Sequence, residues 1–263
     1  MSTKLSKQQL EQYDRNGIVF PIRVFSAEDV RFFRGALESV IGNCGEGSLK
    51  RIDNLHLFFD WAYRLVSNDD LLNAVEDVLG GDILIDGTLV FYKPPHDASY
   101  ASWHQDSVYS GWHLTPSTSA WIALTPSHRA NGCVRVIPGS HTQGLLDHDN
   151  VLDDPNLLNR RGERVKVVVD DSRALDVVLQ PGEMSLHQSN IVHGSNANTS
   201  DEARIGFIVR FVTNGISPRS RPLLRVRGEA DCSHLTLAEP LREMDQQRAF
   251  AAWRRFTSAK SDS

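Results

Sequence analysis

Apolar positions recur at helical intervals over the first eighty residues and in short strand-like runs thereafter. In "LSKQQLEQYDRNG" Leu5, Leu10 and Tyr13 keep near-helical spacing, and Gly17 ends the pattern. "IVFPI" (18–22) reads as a short apolar strand. "SAEDVRFFRGALESVIG" opens with Ser26 at an N-cap position, carries acidic residues in its first turn and closes at Gly42, as an amphipathic helix would. "DDLLNAVEDVLGG" (69–81) predicts a further amphipathic helix with a glycine stop.

After Gly81 the texture changes. "DILIDGTLVFYK", "ASWHQDS", "TSAWIALT", "GCVRVIP", "RVKVVVD", "DVVLQ", "EMSLHQ" and "RIGFIVRFV" read as strands. Between them "KPPH", "ANG", "PGSH", "QPGE" and "SNANTSDEA" are turn or loop signals. This succession predicts a mostly β protein with flanking helices, built as a double-stranded β-helix (jelly-roll) barrel. A single domain over 1–263 is expected, with a helical part at 1–80, a barrel core at 82–215 and a tail at 216–263. In that tail "LAEPLREMDQQRAFAAWRRF" returns to helix. The polar stretch 143–163 is long for a connection, and such loops often serve as lids.

The composition narrows the classes. A chain of 263 residues can bury a substantial core, and 40% hydrophobic with 23% charged residues is ordinary for a soluble globular protein. A net charge of −5, with no concentration of Lys or Arg, argues against nucleic acid or an anionic membrane as the main partner. The three cysteines, Cys44, Cys133 and Cys232, lie far apart and suit free thiols in a reducing compartment. The N-terminal residues lack the apolar core of a signal peptide, and no apolar run approaches a membrane span. A cytoplasmic protein acting on a small molecule is the expectation.

The candidate chemistry starts at "WHQD". Side chains two apart on a strand share a face, so His104 and Asp106 would project together into a barrel lumen. His193 in "NIVHGSNANTSDEARIGFIVRF" is the best candidate for a third ligand. Two imidazoles and a carboxylate on one side of a metal leave three positions open, the facial arrangement of ferrous oxygenases. On "RIGFIVRF", Arg204, Gly206, Ile208 and Arg210 share one face and Ile205, Phe207, Val209 and Phe211 the other. The bulky apolar set should pack on the helices. An inward Arg204 would then be costly unless an anion or a structural ion pair meets it, and its guanidinium fork suits a carboxylate.

"WHQD", "WIALTPSHRANGCVRVIPGSH" and "LQPGEMSLHQSNIVHGSNANTSDEARIGFIVRF", in this order and spacing, resemble the phytanoyl-CoA hydroxylase family of Fe(II)- and 2-oxoglutarate-dependent dioxygenases. "QYDRNGIVFPIRVFSAEDV" and "RPLLRVRGEAD" extend the resemblance, to the bacterial branch, over nearly the whole chain. The resemblance implies His104, Asp106 and His193 as iron ligands, with Fe(II), 2-oxoglutarate and dioxygen as the reacting cofactors. It implies Arg204 as the partner of the distal carboxylate of 2-oxoglutarate and Ser195 as a second contact. Trp121, in the family's W-x-A-L strand, either lines the co-substrate pocket or fills the core. Related halogenases replace the aspartate with a small residue to admit halide; Asp106 is present, so hydroxylation is expected instead.

Substrate choice would fall to the barrel mouth, at Trp103, Tyr109, Trp112, the 143–163 loop and Arg210. Arg210 would hold a substrate anion or form a buried structural pair. A small polar metabolite in a biosynthetic tailoring pathway is the expected substrate. Desaturation, epoxidation or cyclisation, an acyl-thioester substrate, and a non-catalytic metal-binding barrel are the alternatives. His187 reads as structural or supporting, His141 as turn-stabilising, His113, His128 and His148 as solvated loop residues, and Lys93 as a surface lysine.

Overall fold

The computed structural model describes residues 3–44, 50–109, 115–150, 155–158, 163–218, 222–241 and 245–258. Among them lie the helices α1 (Lys7–Asn16), α2 (Ala27–Gly42), α3 (Asp60–Val66), α4 (Asp69–Leu79) and α5 (Gln246–Ser258). The early strands are β1 (Ile18–Arg23), β2 (Arg51–Asp53), β3 (Ile83–Lys93), β4 (Ala101–His104), β5 (Ser117–Ala123), β6 (Val134–Val136) and β7 (His148–Asn150). They are followed by β8 (Glu163–Val165), β9 (Leu175–Asp176), β10 (Glu183–Gln188), β11 (His193–Ser195), β12 (Arg204–Val212) and β13 (Leu224–Arg227).

The first two helices start where local chemistry satisfies their first free N–H groups. Ser6 with Gln9, and Ser26 with Asp29, form reciprocal capping boxes at α1 and α2. At the end of α1, Gly17 takes the left-handed conformation (φ 76°) and donates its N–H to the Tyr13 carbonyl. An added Cβ there would run into the His141 ring, so the position admits only glycine on two counts.

The strands form two sheets and a hairpin. The major sheet runs β1-β10-β5-β12-β3-β13, with β2 also on β3; the minor sheet runs β4-β11-β6-β9; β7 pairs β8. Pro21 lies on β1, an edge strand, within the register break between Val19 and Ile22, where its missing N–H interrupts no interior ladder. Side-chain alternation divides the major sheet cleanly. Ile205, Phe207, Val209 and Phe211 pack with residues of all four of α2, α3, α4 and α5 in one apolar cluster. The opposite face turns Leu89, Trp121 and Ile208 towards Val134 and Val136 of the minor sheet. The jelly-roll lumen lies between the two sheets.

Several sequence expectations need correction. The strand expected over "ASWHQDS" ends at His104, and Asp106 opens a 3-10 turn over Asp106–Tyr109. "RVKVVVD" is strand only to Val165, because its partner β7 has three residues; Val167 and Val168 then stand exposed. Of "DVVLQ" only Asp176 lies in a strand, Leu175–Asp176, and Leu179 then makes a single bridge to Ser127. The tail is helical from Gln246, not from Leu237. Strands β2, β7, β11 and β13, each of three or four residues, are too short for periodicity to reveal. Residues 151–154 and 159–162 of the 143–163 segment lie outside the described residues. All three cysteines are free thiols, and no described helix is long and apolar enough to cross a membrane.

One buried histidine makes the fold sensitive to acid. His56 is 1% exposed, its Nδ1 lies 3.0 Å from Thr88 Oγ1, and burial lowers its pKa to about 3. The unfolded chain takes up a proton near pH 6.5 that the folded chain refuses, so stability is full above that pH and falls as pH drops towards 3. We expect a loss of up to ~1.4 kcal/mol per pH unit across that window. Urea titrations of wild type and His56→Gln at pH 7 and pH 5 check it: the variant should show the shallower fall.

Candidate active site

The site is assembled from both sheets. His193 on β11 stands directly opposite His104 on β4 in the antiparallel register, and their rings are 4.0 Å apart. His104 Nδ1 lies 2.8 Å from the Ser102 carbonyl and His193 Nδ1 lies 3.0 Å from the Ile191 carbonyl. Each imidazole thus donates through Nδ1 to the carbonyl two residues back in its own chain, which leaves Nε2 as the acceptor. Both rings are buried; burial lowers the His104 pKa to about 4 and holds that of His193 well below the usual range. Both are neutral at pH 7.

Asp106 reaches the same place from its 3-10 turn. One ligand atom each from His104, Asp106 and His193 falls within 4.8 Å of the others. Gln105 makes the turn possible. Its buried side-chain amide donates to the Gly144 and Asn190 carbonyls at 2.8 and 2.6 Å and accepts from Leu146 N–H at 2.8 Å. It ties the peptide between the first two residues of the cluster to the turn just before the third. On the other side, Ser140 of "PGSH" accepts the Val192 N–H at 2.8 Å.

The Asp106 carboxylate faces the major sheet. Ser119 Oγ donates to Oδ2 at 2.8 Å, and an Arg210 guanidinium nitrogen donates to Oδ1 at 2.7 Å. Burial alone would raise this carboxyl, but Arg210 and the nearby imidazoles pull it well below the usual carboxylate range. Arg210 therefore forms a buried ion pair with Asp106. His187 Nε2 stands 3.9 Å from the same carboxylate, beyond hydrogen-bond reach, and its ring is 5.0 Å from His193. Both His187 nitrogens are buried without a hydrogen-bond partner, a costly state for an imidazole.

A cationic end lies further along the lumen. Arg204 on β12 pairs in register with Lys93 on β3, and both are almost fully buried. Arg204 donates to the Gly132 carbonyl at 2.8 Å and lies over the Trp121 ring at 5.3 Å, while its Nε has no partner. Among the described residues no carboxylate pairs with it. Lys93 Nζ donates to Ser195 Oγ at 2.9 Å and to the Asn196 carbonyl. Burial, then the neighbouring Arg204, lowers the Lys93 pKa to about 6, and burial lowers that of Arg204 to about 10.

The other expected site residues scatter. Trp103 points to the outer face of the minor sheet, because β4 alternates and His104 points inward; it packs near Ile137, Val165 and Val192 under Arg135. Trp112, His113 and the side chain of Tyr109 lie outside the described residues. His141 bonds the Asp14 carbonyl at 3.1 Å and stitches its turn to α1. His148 accepts the Gln105 N–H at 3.2 Å, and His128 meets Glu202 at 3.2 Å. Lys93 corrects the surface reading, and the alternation Leu89, Phe91, Lys93 on the face opposite the helices carried the signal. Ser119 was missed for the same reason, two places before Trp121 on β5.

Residues 13–206 match the family model described as Phytanoyl-CoA dioxygenase (PhyH). The chain belongs to the phytanoyl-CoA dioxygenase family. It is a non-haem oxygenase dependent on Fe(II) and 2-oxoglutarate. An ectoine dioxygenase of Bordetella parapertussis is 24% identical over 247 residues, covering 81% of this chain and 78% of that protein. A probable alpha-ketoglutarate-dependent hypophosphite dioxygenase of Stutzerimonas stutzeri is 28% identical over 171 residues, 62% of this chain. That match spans 57% of the hypophosphite relative's length. The solved structure of the non-heme monooxygenase ThoJ, without metal, superposes with a TM-score of 0.80 at 27% identity over 97% of this chain and 96% of its own.

Close packing beneath the cationic end sets a further expectation. Gly206 lies on the lumen face beside Arg204, where a Cβ would meet the Trp121 ring. Gly206→Ala should cost on the order of 1–3 kcal/mol by forcing the indole aside. Urea unfolding followed by tryptophan fluorescence reads both the loss and the displaced ring.

Proposed function

We propose that this PhyH-family enzyme hydroxylates an unactivated carbon of a small polar metabolite. His104, Asp106 and His193 would hold the ferrous iron; Arg204, with Ser195 and Lys93, would hold the distal carboxylate of 2-oxoglutarate. The observation that carries this reading is the convergence of three buried ligand atoms within 4.8 Å, both imidazoles tautomerised to offer Nε2. Two nitrogens and one carboxylate oxygen suit ferrous iron and leave positions open for a co-substrate and dioxygen.

The cationic end fits a keto-diacid. A buried guanidinium with an unbonded Nε needs an acceptor, and a carboxylate supplies two oxygens to its fork. Lys93 and Ser195 stand within one hydrogen bond of each other beside it, so one anion could reach all three. Trp121, itself buried, lies under the guanidinium at 5.3 Å and would shield that end from water. Bound there, iron with 2-oxoglutarate and dioxygen would supply the oxidising power, releasing succinate and carbon dioxide and leaving one oxygen on the substrate carbon. The chain's own residues position, desolvate and neutralise; none is required as a general base.

A small polar substrate suits a lumen in which His187, in one row with Ser119 and Arg210, has two nitrogens to offer. The relatives named for ectoine and hypophosphite are consistent with that class. The test is a metabolite-panel screen for substrate-stimulated succinate release with iron and ascorbate. A coupled hit whose product gains the mass of one oxygen supports the reading; succinate release that no substrate stimulates would sink it.

Two sets of variants examine the roles. His104→Ala and His193→Ala should each lose iron-dependent turnover by more than about a hundredfold while circular dichroism stays native. Arg204→Ala and Lys93→Met should act mainly on the 2-oxoglutarate requirement. An increase of about tenfold or more is expected for Arg204→Ala, read as KM for the co-substrate.

A further inference from the structure

The two imidazoles of the cluster belong to the minor sheet, on β4 and β11, but the two donors to Asp106 belong to the major sheet. Ser119 on β5 and Arg210 on β12 are register partners, side by side in one row across that sheet. They bond different oxygens of the same carboxylate, at 2.8 and 2.7 Å. Asp106 itself sits outside any strand, on a 3-10 turn, where no ladder holds its backbone. Gln105 and the Ser107 N–H, which donates to the Ser189 carbonyl at 3.0 Å, hold the turn, but the plane of the Asp106 carboxylate is left to contacts made by its side chain.

We propose that Ser119 and Arg210 are positioning residues for the metal site: they form a two-point tether that fixes the Asp106 carboxylate relative to His104 and His193. The inference rests on the triad being the iron site. Two donors on two oxygens set both the plane and the tilt of the group, which one donor could not do. Each oxygen keeps a lone pair, so the tether leaves a free acceptor site for a cation. His187, beyond hydrogen-bond reach of the carboxylate, is not part of it. Arg210 thereby acts through Asp106, and the substrate-anion role considered for it from sequence is not needed.

The tether makes a prediction that simple electrostatics reverses. Arg210 is a cation beside a cation site, so charge repulsion alone says that removing it should tighten metal binding. If it orients the ligand, removing it should weaken binding despite the lost repulsion. Hydrogen bonds to metal-ligating groups typically govern affinity by about ten- to a hundredfold.

The test is anaerobic titration of the full-length protein with Co(II), read by calorimetry and by the visible absorption of the bound ion. Ser119→Ala and Arg210→Met are each expected to weaken Co(II) binding about tenfold or more and to change the absorption band. Ser119→Thr, which keeps the hydroxyl, is expected to restore affinity and band together. Metal-free Ser119→Ala should unfold close to the wild-type temperature and metal-free Arg210→Met below it, because the latter leaves a buried carboxylate without its ion-pair partner. The Co(II)-induced rise, measured from each variant's own metal-free value, should shrink in both. Unchanged affinity and band in Ser119→Ala, or tighter binding in Arg210→Met, would overturn the tether alone. Absence of Co(II) uptake by the wild-type protein would overturn the triad reading and the tether with it.

Discussion

A buried carboxylate must be matched where it stands, and the pairing of Asp106 with Arg210 and Ser119 is the constraint on which the centre of this protein depends. An ionised group taken out of water is destabilised by several kcal/mol unless donors replace its hydration. Here they come from a sheet that contributes neither histidine of the cluster. The ion pair thus joins the two halves of the jelly roll at the point where their polar side chains meet. With the carboxylate satisfied and both imidazoles neutral, the lumen holds a set of Lewis-basic atoms without stray charge. That is the state a metal site needs before the metal arrives.

The cationic end follows the opposite logic. Arg204 and Lys93 are basic neighbours across the β12–β3 ladder, and no described carboxylate forms an ion pair with either. Lys93 answers by a depressed pKa, and Arg204 by lying against Trp121 and bonding one backbone carbonyl. The arrangement is tolerable but incomplete, since a buried guanidinium nitrogen is left unbonded. An anion entering between them would complete it. Anion-matched at one end and anion-seeking at the other, the lumen has a polarity that fits a chelating keto-diacid lying along it.

Gln105 shows why the spacing of the motif is what it is. A strand continuing past His104 would place residue 106 on the same face, but at a strand's rise of roughly 6–7 Å per two residues. Turning out of the strand at Gln105 shortens that separation, and the amide of Gln105 holds the turn through three bonds to two other loops. The residue between two candidate ligands is therefore the one that makes their geometry possible.

The amino-acid sequence determined what depends on neighbours along the chain. The Ser26 N-cap, the glycine stops, the two-residue alternation of β12 and the division of its faces are set by local hydrogen bonding and backbone sterics, and they were legible directly. The candidate cluster was legible through the family resemblance, since His104 with Asp106 and His193 with Arg204 lie in two separate motifs whose convergence no local pattern shows. Tertiary structure alone decided the rest. It turned Trp103 outward, buried Lys93 beside Arg204, matched Arg210 to Asp106 and brought Ser119 to the same carboxylate. These outcomes depend on strand register and on which of two faces meets the opposite sheet. Such quantities are fixed by contacts between residues distant in sequence, so no local pattern encodes them.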